Sequence, residues 1–196
     1  MTLKNYLIRP LETVQERTLL VIGGIIGIII CYIQTFTHSR SIAILKQVAL
    51  KSSPTFIQTL SDFLITTLMM TLALFILGKI INKKTRLIDI LNTVLIARMS
   101  LDLSVLFDIN GYLSDFSLQL IDNITNPEAL FKTNPGSFIY LFVVSLTSIL
   151  FLIGFGYYIY QGFKTATHLK KTTMIIVFVL TILLVDTLTR LITTLY

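Results

Sequence analysis

Five apolar stretches fill most of this chain of 196 residues, and each is long enough to cross a lipid bilayer. A transmembrane helix needs about 20 predominantly apolar residues. The connecting segments are too short to build a separate soluble domain beside these stretches. The sequence therefore predicts an all-α polytopic membrane protein, a bundle of five transmembrane helices that forms one domain over residues 1–196. The predicted spans are approximately residues 18–37, 56–81, 87–108, 137–160 and 174–195.

The connecting segments carry apolar residues at helical spacing, which predicts short amphipathic helices at the membrane surface. One such helix is expected over residues 2–17 and a second over residues 41–52. A third is expected in the loop between spans three and four, where apolar residues recur every three or four positions from Leu113 to Ile124. Asn126-Pro127 in the same loop is typical of a helix start, with Asn as the cap and Pro in the first turn.

The formal net charge of +6 arises from basic residues that cluster in the loops between spans. This pattern is typical of membrane topology, so the sequence predicts the lipid bilayer as the surrounding partner and no nucleic acid. With the N-terminus in the cytoplasm, ten basic residues lie on the cytoplasmic side and four on the outer side. The asymmetry favours an N-in, C-out orientation.

Two of the apolar stretches contain an Arg and an Asp four residues apart. Arg98 and Asp102 lie in span three, and Asp186 and Arg190 lie in span five. Charges in hydrocarbon need partners, and residues four apart meet on one helix face. Spans three and five are parallel, and the four charges match in depth when counted from the cytoplasmic ends. We therefore expect a neutral four-charge box in which Arg98 also meets Asp186 and Asp102 also meets Arg190.

The box has two interpretations that the sequence leaves open. It is either a structural clamp between two spans or a polar pathway for an ion, a proton or a lipid headgroup. Gly78 precedes Asp102 by 24 residues and Gly162 precedes Asp186 by the same 24 residues. This echo suggests that spans two–three and four–five are two copies of one helical pair, as in some transporters.

Glycines within the spans indicate where helices pack closely. Gly23 and Gly27 form a small-xxx-small pair in span one, and Gly154 and Gly156 lie in span four. Because glycine has no side chain, another backbone can approach at these positions. We expect all four to be helix-packing residues.

Catalytic and metal-binding patterns are absent from the spans. The two histidines, His38 and His168, lie in loops, and Cys31 is the only cysteine. These residues do not supply the ligands of a zinc or haem site in the bilayer, and no phosphate-binding glycine loop occurs. The sequence thus predicts no enzyme, no cofactor and no metal.

Three segments carry a resemblance to a known family. A short lead with a Pro precedes span one (residues 7–13), a Gly and a basic turn precede span three (77–91), and a basic turn follows an aromatic span four (160–164). In these features and in its five-span layout the chain resembles the Yip-domain family, as a short prokaryotic-type member without a long polar N-terminal region. The resemblance implies a non-enzymatic membrane scaffold or accessory subunit that binds a membrane-protein partner or a second copy of itself. It also implies a location in the cytoplasmic (inner) membrane of a prokaryote.

A second function of a different class remains open, a small transporter or channel that uses Arg98, Asp102, Asp186 and Arg190. A water-filled cavity that reaches Asp102 or Asp186 would favour transport, whereas fully paired charges would favour the scaffold.

Overall fold

The computed structural model describes residues 10–123 and 135–195. Most of this part of the chain is helical, and five helices are long and apolar enough to cross a membrane. The predicted all-α polytopic bundle is confirmed. The helices and strands in chain order are α1 (Pro10–Thr13), α2 (Glu16–Gln34), β1 (Ser39–Ser41), β2 (Gln47–Ala49), α3 (Phe56–Ile81), α4 (Leu87–Asp102), α5 (Tyr112–Asp122), α6 (Pro135–Thr167) and α7 (Thr172–Thr193).

The five spans are α2, α3, α4, α6 and α7. The bounds of α3 agree with the prediction, while α6 extends seven residues beyond the predicted end of span four. Span three is α-helical only to Asp102 and finishes as a 3₁₀ helix over Leu103–Asp108. Thr55 caps α3 through a capping box with Gln58, which satisfies backbone donors at the start of that span.

Span three lies at the centre of the bundle. Half of the residues in the most apolar part of span three are buried inside the protein, whereas only 11% of those in the most apolar part of α6 are buried. The core packs Ile90, Val94 and Ala97 of α4 against apolar residues of α3, α6 and α7. Because α6 is so little buried, most of its apolar surface faces outward, where lipid surrounds a membrane protein.

The bundle has two chemically different ends. The "basic end" contains the start of α2, the α3–α4 turn and the α6–α7 turn. The "hairpin end" is the opposite one, and it contains the segment between α2 and α3.

The helix Tyr112–Asp122 confirms the surface helix that was predicted between spans three and four. Ile124 and the Asn126-Pro127 start lie outside the described residues, as does the first half of the predicted 2–17 helix.

The prediction of an amphipathic helix over residues 41–52 is wrong. Strands β1 and β2 instead form an antiparallel hairpin in which Arg40 lies opposite Val48. At the hairpin tip, the backbone groups of Ala43 and Lys46 bond to each other at 3.3 and 3.4 Å. Ala43 and Ile44 are 1% and 8% exposed, and Ile44 belongs to the main core. The tip therefore enters the bundle from the hairpin end.

Candidate functional site

The buried charges of the spans lie in the half of the bundle nearer the hairpin end. Arg98 and Asp102 form the expected contact on α4, with Arg98 Nε 3.2 Å from Asp102 Oδ2. Both side chains are almost fully buried, at 4% and 10% exposure. Their mutual neutralisation is what permits two charges at this depth.

Arg98 also joins α4 to α3. Its Nη1 donates to the Phe63 carbonyl at 3.1 Å and to the Thr66 and Thr67 hydroxyls at 2.5 and 2.9 Å. Its guanidinium carbon lies 4.4 Å from the centre of the Phe63 ring, within range of a cation–π contact. The guanidinium is thus held by one carboxylate and by neutral acceptors of the neighbouring span.

Asp186 holds the hairpin. Its Oδ1 accepts the backbone N–H of Leu45 at 2.8 Å, and its Oδ2 accepts from Arg190 Nη2 at 2.7 Å. Thr193 lies two turns further along α7, and its hydroxyl donates to the Ile42 carbonyl at 2.6 Å. Asp186 precedes Thr193 by seven residues of α7, a rise of about 10 Å. The hairpin tip is therefore anchored well inside the bundle, where irregular backbone must be satisfied by protein groups.

The cross-helix half of the predicted charge box is wrong. Among the described residues, Arg98 pairs with Asp102 and Arg190 with Asp186, each within its own helix. The reason is the packing order, since α3 contacts both α4 and α7 and separates them. Arg98 instead donates to Thr66 and Thr67 of α3. Equal counts of residues along two parallel helices do not make those helices neighbours.

The Arg40–Asp62 ion pair joins the hairpin to α3, and it was missed by the sequence analysis. Arg40 Nε and Nη2 bond both oxygens of Asp62 at 2.6 and 2.9 Å, and the Asp62 side chain is 2% exposed. Arg40 also donates to the Thr193 carbonyl at 3.3 Å. The sequence did contain an indication of this pair, because Arg40 lies in the segment before α3 and Asp62 lies in the second turn of that helix. The hairpin thus places a cation against a buried carboxylate near the start of α3.

A cavity of about 280 Å³ opens beside Asp102. Its walls come from the hairpin, the end of α4 and the middle of α6, and they include Leu45, Gln47 and Ser148. Asp102 thus borders a small, mostly apolar space on one side and contacts Arg98 on the other. The two largest described cavities, of about 650 and 570 Å³, lie at the basic end, beyond the apolar core.

Three of the four predicted packing glycines pack closely. A Cβ atom on Gly23 would lie 2.8 Å from Leu95 Cβ of α4. A Cβ on Gly27 would overlap the Phe63 ring, and one on Gly154 would overlap the Ser100 hydroxyl.

The prediction for Gly156 is wrong. A Cβ there would meet nothing within 4 Å, because Gly156 points away from the bundle on the exposed side of α6. The suggested repeat is also not reproduced in the packing, since α4 packs along α3 whereas α7 packs mainly on α3 and meets α6 through Phe178, which stacks on Phe163.

In the described part of the chain, no three His, Cys, Asp or Glu side chains come together as a metal site would require. The buried polar groups described above form two sets, one around Arg98 and one around Asp186 and Arg40. Chemically, they connect helices and hold the hairpin. Comparison with family models, with curated proteins and with solved structures found no match to this chain.

Proposed function

We propose that this chain is a non-enzymatic integral membrane protein of the Yip-domain type that acts as a scaffold or accessory subunit. The observation that carries the proposal is the pairing of the in-span charges. Arg98, which pairs with Asp102, holds α4 to α3. Asp186, which pairs with Arg190, holds the hairpin to α7. Charges already engaged in this way are poorly suited to binding and releasing a substrate.

The surface offered to a partner is the outward side of α6. This helix is the least buried span, and its exposed residues include Phe142, Leu146 and Ile153. Partner helices in a membrane associate through packing of such faces. The partner is another membrane protein or a second copy of this chain. The proposed location is the cytoplasmic membrane of a prokaryote with the basic end inside, supported by the distribution of Lys and Arg.

Photo-crosslinking tests the scaffold function. A benzoylphenylalanine placed at Leu146 or Ile153 should give a discrete protein adduct in intact membranes. The matched control is Leu72, which is also exposed, at 52%, but lies on α3. Adducts with lipid alone at every position would contradict the proposal.

Transport is the second candidate, and one observation favours it. Asp102 lines a cavity of about 280 Å³, so a small ion or proton has space beside a carboxylate. Proteoliposomes that contain the purified protein and a pH-sensitive dye test this function. The scaffold proposal expects no flux above empty vesicles. A proton or cation flux that Asp102→Asn abolishes would establish transport and overturn the scaffold.

A further inference from the structure

The largest described cavity of the basic end is unused by the functions proposed above. It encloses about 650 Å³, within the usual range for small-ligand sites. The start of α2, the α3–α4 turn, the first turns of α4 and the end of α6 form its walls. Its polar lining consists largely of Glu16, Lys84, Arg86, Asp89, Asn92 and His168.

Asn92 is the feature that points to a ligand. Its side chain belongs to a residue that is 1% exposed, and its Nδ2 donates to the Glu16 carbonyl at 3.0 Å. That bond leaves Oδ1 as an acceptor, and Oδ1 has no hydrogen-bond partner among the described residues. A buried acceptor without a partner is unfavourable. A ligand that donates an N–H or O–H into the cavity would satisfy it.

The charges beside Asn92 select a cation. Arg86 bonds Asp89 at 2.9 and 3.1 Å and also bonds Glu16. The hydrogen bonds that Arg86 donates to Asp89 and, to a smaller degree, to Glu16 raise the pKa of Arg86 above its ordinary value. Two carboxylates therefore share one guanidinium, which leaves a net charge of about −1 near the unpaired Asn92 acceptor. A protonated amine fits both the charge and the missing donor.

The rim of the cavity has the opposite charge. Lys84 is exposed in the α3–α4 turn and lines the opening. Its ammonium group can bind a phosphate as a point charge. Leu11 and Leu19 supply an apolar wall on the α1–α2 side, suited to the glycerol and acyl part of a lipid.

We propose that this cavity binds a phosphoethanolamine group. The ammonium group donates to Asn92 Oδ1 and lies against Glu16 and Asp89, while the phosphate lies at Lys84. Two sources carry this chemistry, the headgroup of phosphatidylethanolamine and free phosphoethanolamine. The inference does not depend on the scaffold function, since it rests on residues at the other end of the bundle.

Native mass spectrometry of the full chain in detergent tests the proposal. The probes are phosphatidylethanolamine, phosphatidylcholine and phosphatidylglycerol with identical acyl chains. Choline has no N–H, so it leaves the acceptor unpaired, and we expect about tenfold weaker binding of that lipid. Phosphatidylglycerol lacks the cation and should also bind more weakly. Excess free phosphoethanolamine separates the two sources, because it displaces the lipid only if the headgroup alone is sufficient.

Substitutions locate the site. Asn92→Leu removes the acceptor and should reduce the preference for ethanolamine over choline to near one. Lys84→Gln removes the phosphate contact at an exposed position, so it should fold normally and weaken all three lipids. Lys83→Gln is the matched control, an exposed neighbour that does not line the cavity.

Two results would overturn the inference. Equal binding of the ethanolamine and choline lipids to the unsubstituted protein would mean that solvent alone fills the site. Loss of binding that is the same for Lys83→Gln and Lys84→Gln would mean that only general surface charge attracts the lipid.

Discussion

The Arg98–Asp102 pair allows the sharpest test of how this bundle is held together. Arg98→Leu leaves Asp102 with no other hydrogen-bond partner among the described residues, and removing one member of a buried pair costs about 3–5 kcal/mol. Asp102→Leu should cost less, because the remaining guanidinium keeps Phe63, Thr66 and Thr67 as acceptors.

The double mutant distinguishes this arrangement from the cross-helix box. Arg98→Leu with Asp102→Leu removes both charges, so its loss should be smaller than the sum of the single losses by about 2–3 kcal/mol. Arg98→Leu with Asp186→Leu is the control pair, and its losses should add within about 0.5 kcal/mol because the two side chains do not meet. The free energy of unfolding can be measured by SDS titration in mixed micelles, followed by circular dichroism.

Either of two outcomes would refute the reasoning. Additive losses for Arg98 and Asp102 would mean that their ion pair contributes nothing in the folded state. Strong coupling between Arg98 and Asp186 would mean that spans three and five are neighbours after all.

Three further predictions concern packing, the hairpin and orientation. Gly27→Ala should lower the melting temperature in detergent, because its Cβ would overlap Phe63, whereas Gly24→Ala meets nothing within 4 Å and should leave it unchanged; equal effects would contradict the α2–α3 contact. Asp186→Leu removes the acceptor of the Leu45 N–H, so hydrogen exchange at the hairpin tip should accelerate, by about 5- to 150-fold for a loss of about 1–3 kcal/mol; unchanged protection would mean that the tip is held by other contacts. Lys170→Cys should resist a membrane-impermeant thiol reagent added from outside the cell, and rapid labelling would reverse the proposed orientation.

Much of the fold could be predicted from sequence because the bilayer imposes length and hydrophobicity on each span. The ion pairs within helices were also accessible, since Arg98 and Asp102 are separated by one helical turn and so share a face. The contacts of Gly23 and Gly27 followed from the same reasoning about one helix at a time. Such local rules hold whichever helices become neighbours.

The hairpin could not be predicted in this way. Ile42, Leu45 and Val48 recur at helical spacing, but Ile44 and Ala43 are the residues that the bundle buries. The strand conformation is stabilised by partners far away in the sequence, Asp62 and the end of α7, which no local pattern reveals. The cross-helix box failed for the related reason that equal depth does not determine which helices touch.

The anchoring of the hairpin also sets an order of events during synthesis. Leu45 and Asp186 are separated by 141 residues, so the hairpin tip has no acceptor until the last span has left the ribosome. At about 5–20 residues per second, that delay is roughly 7–28 seconds. Over this interval the Leu45 N–H lacks the acceptor that holds the tip in the folded bundle, whereas Asp62, the partner of Arg40, follows it by only 22 residues. The final span therefore completes the anchoring of the hairpin. Any factor that assists membrane insertion of this chain must leave the space for the tip open until α7 has been inserted.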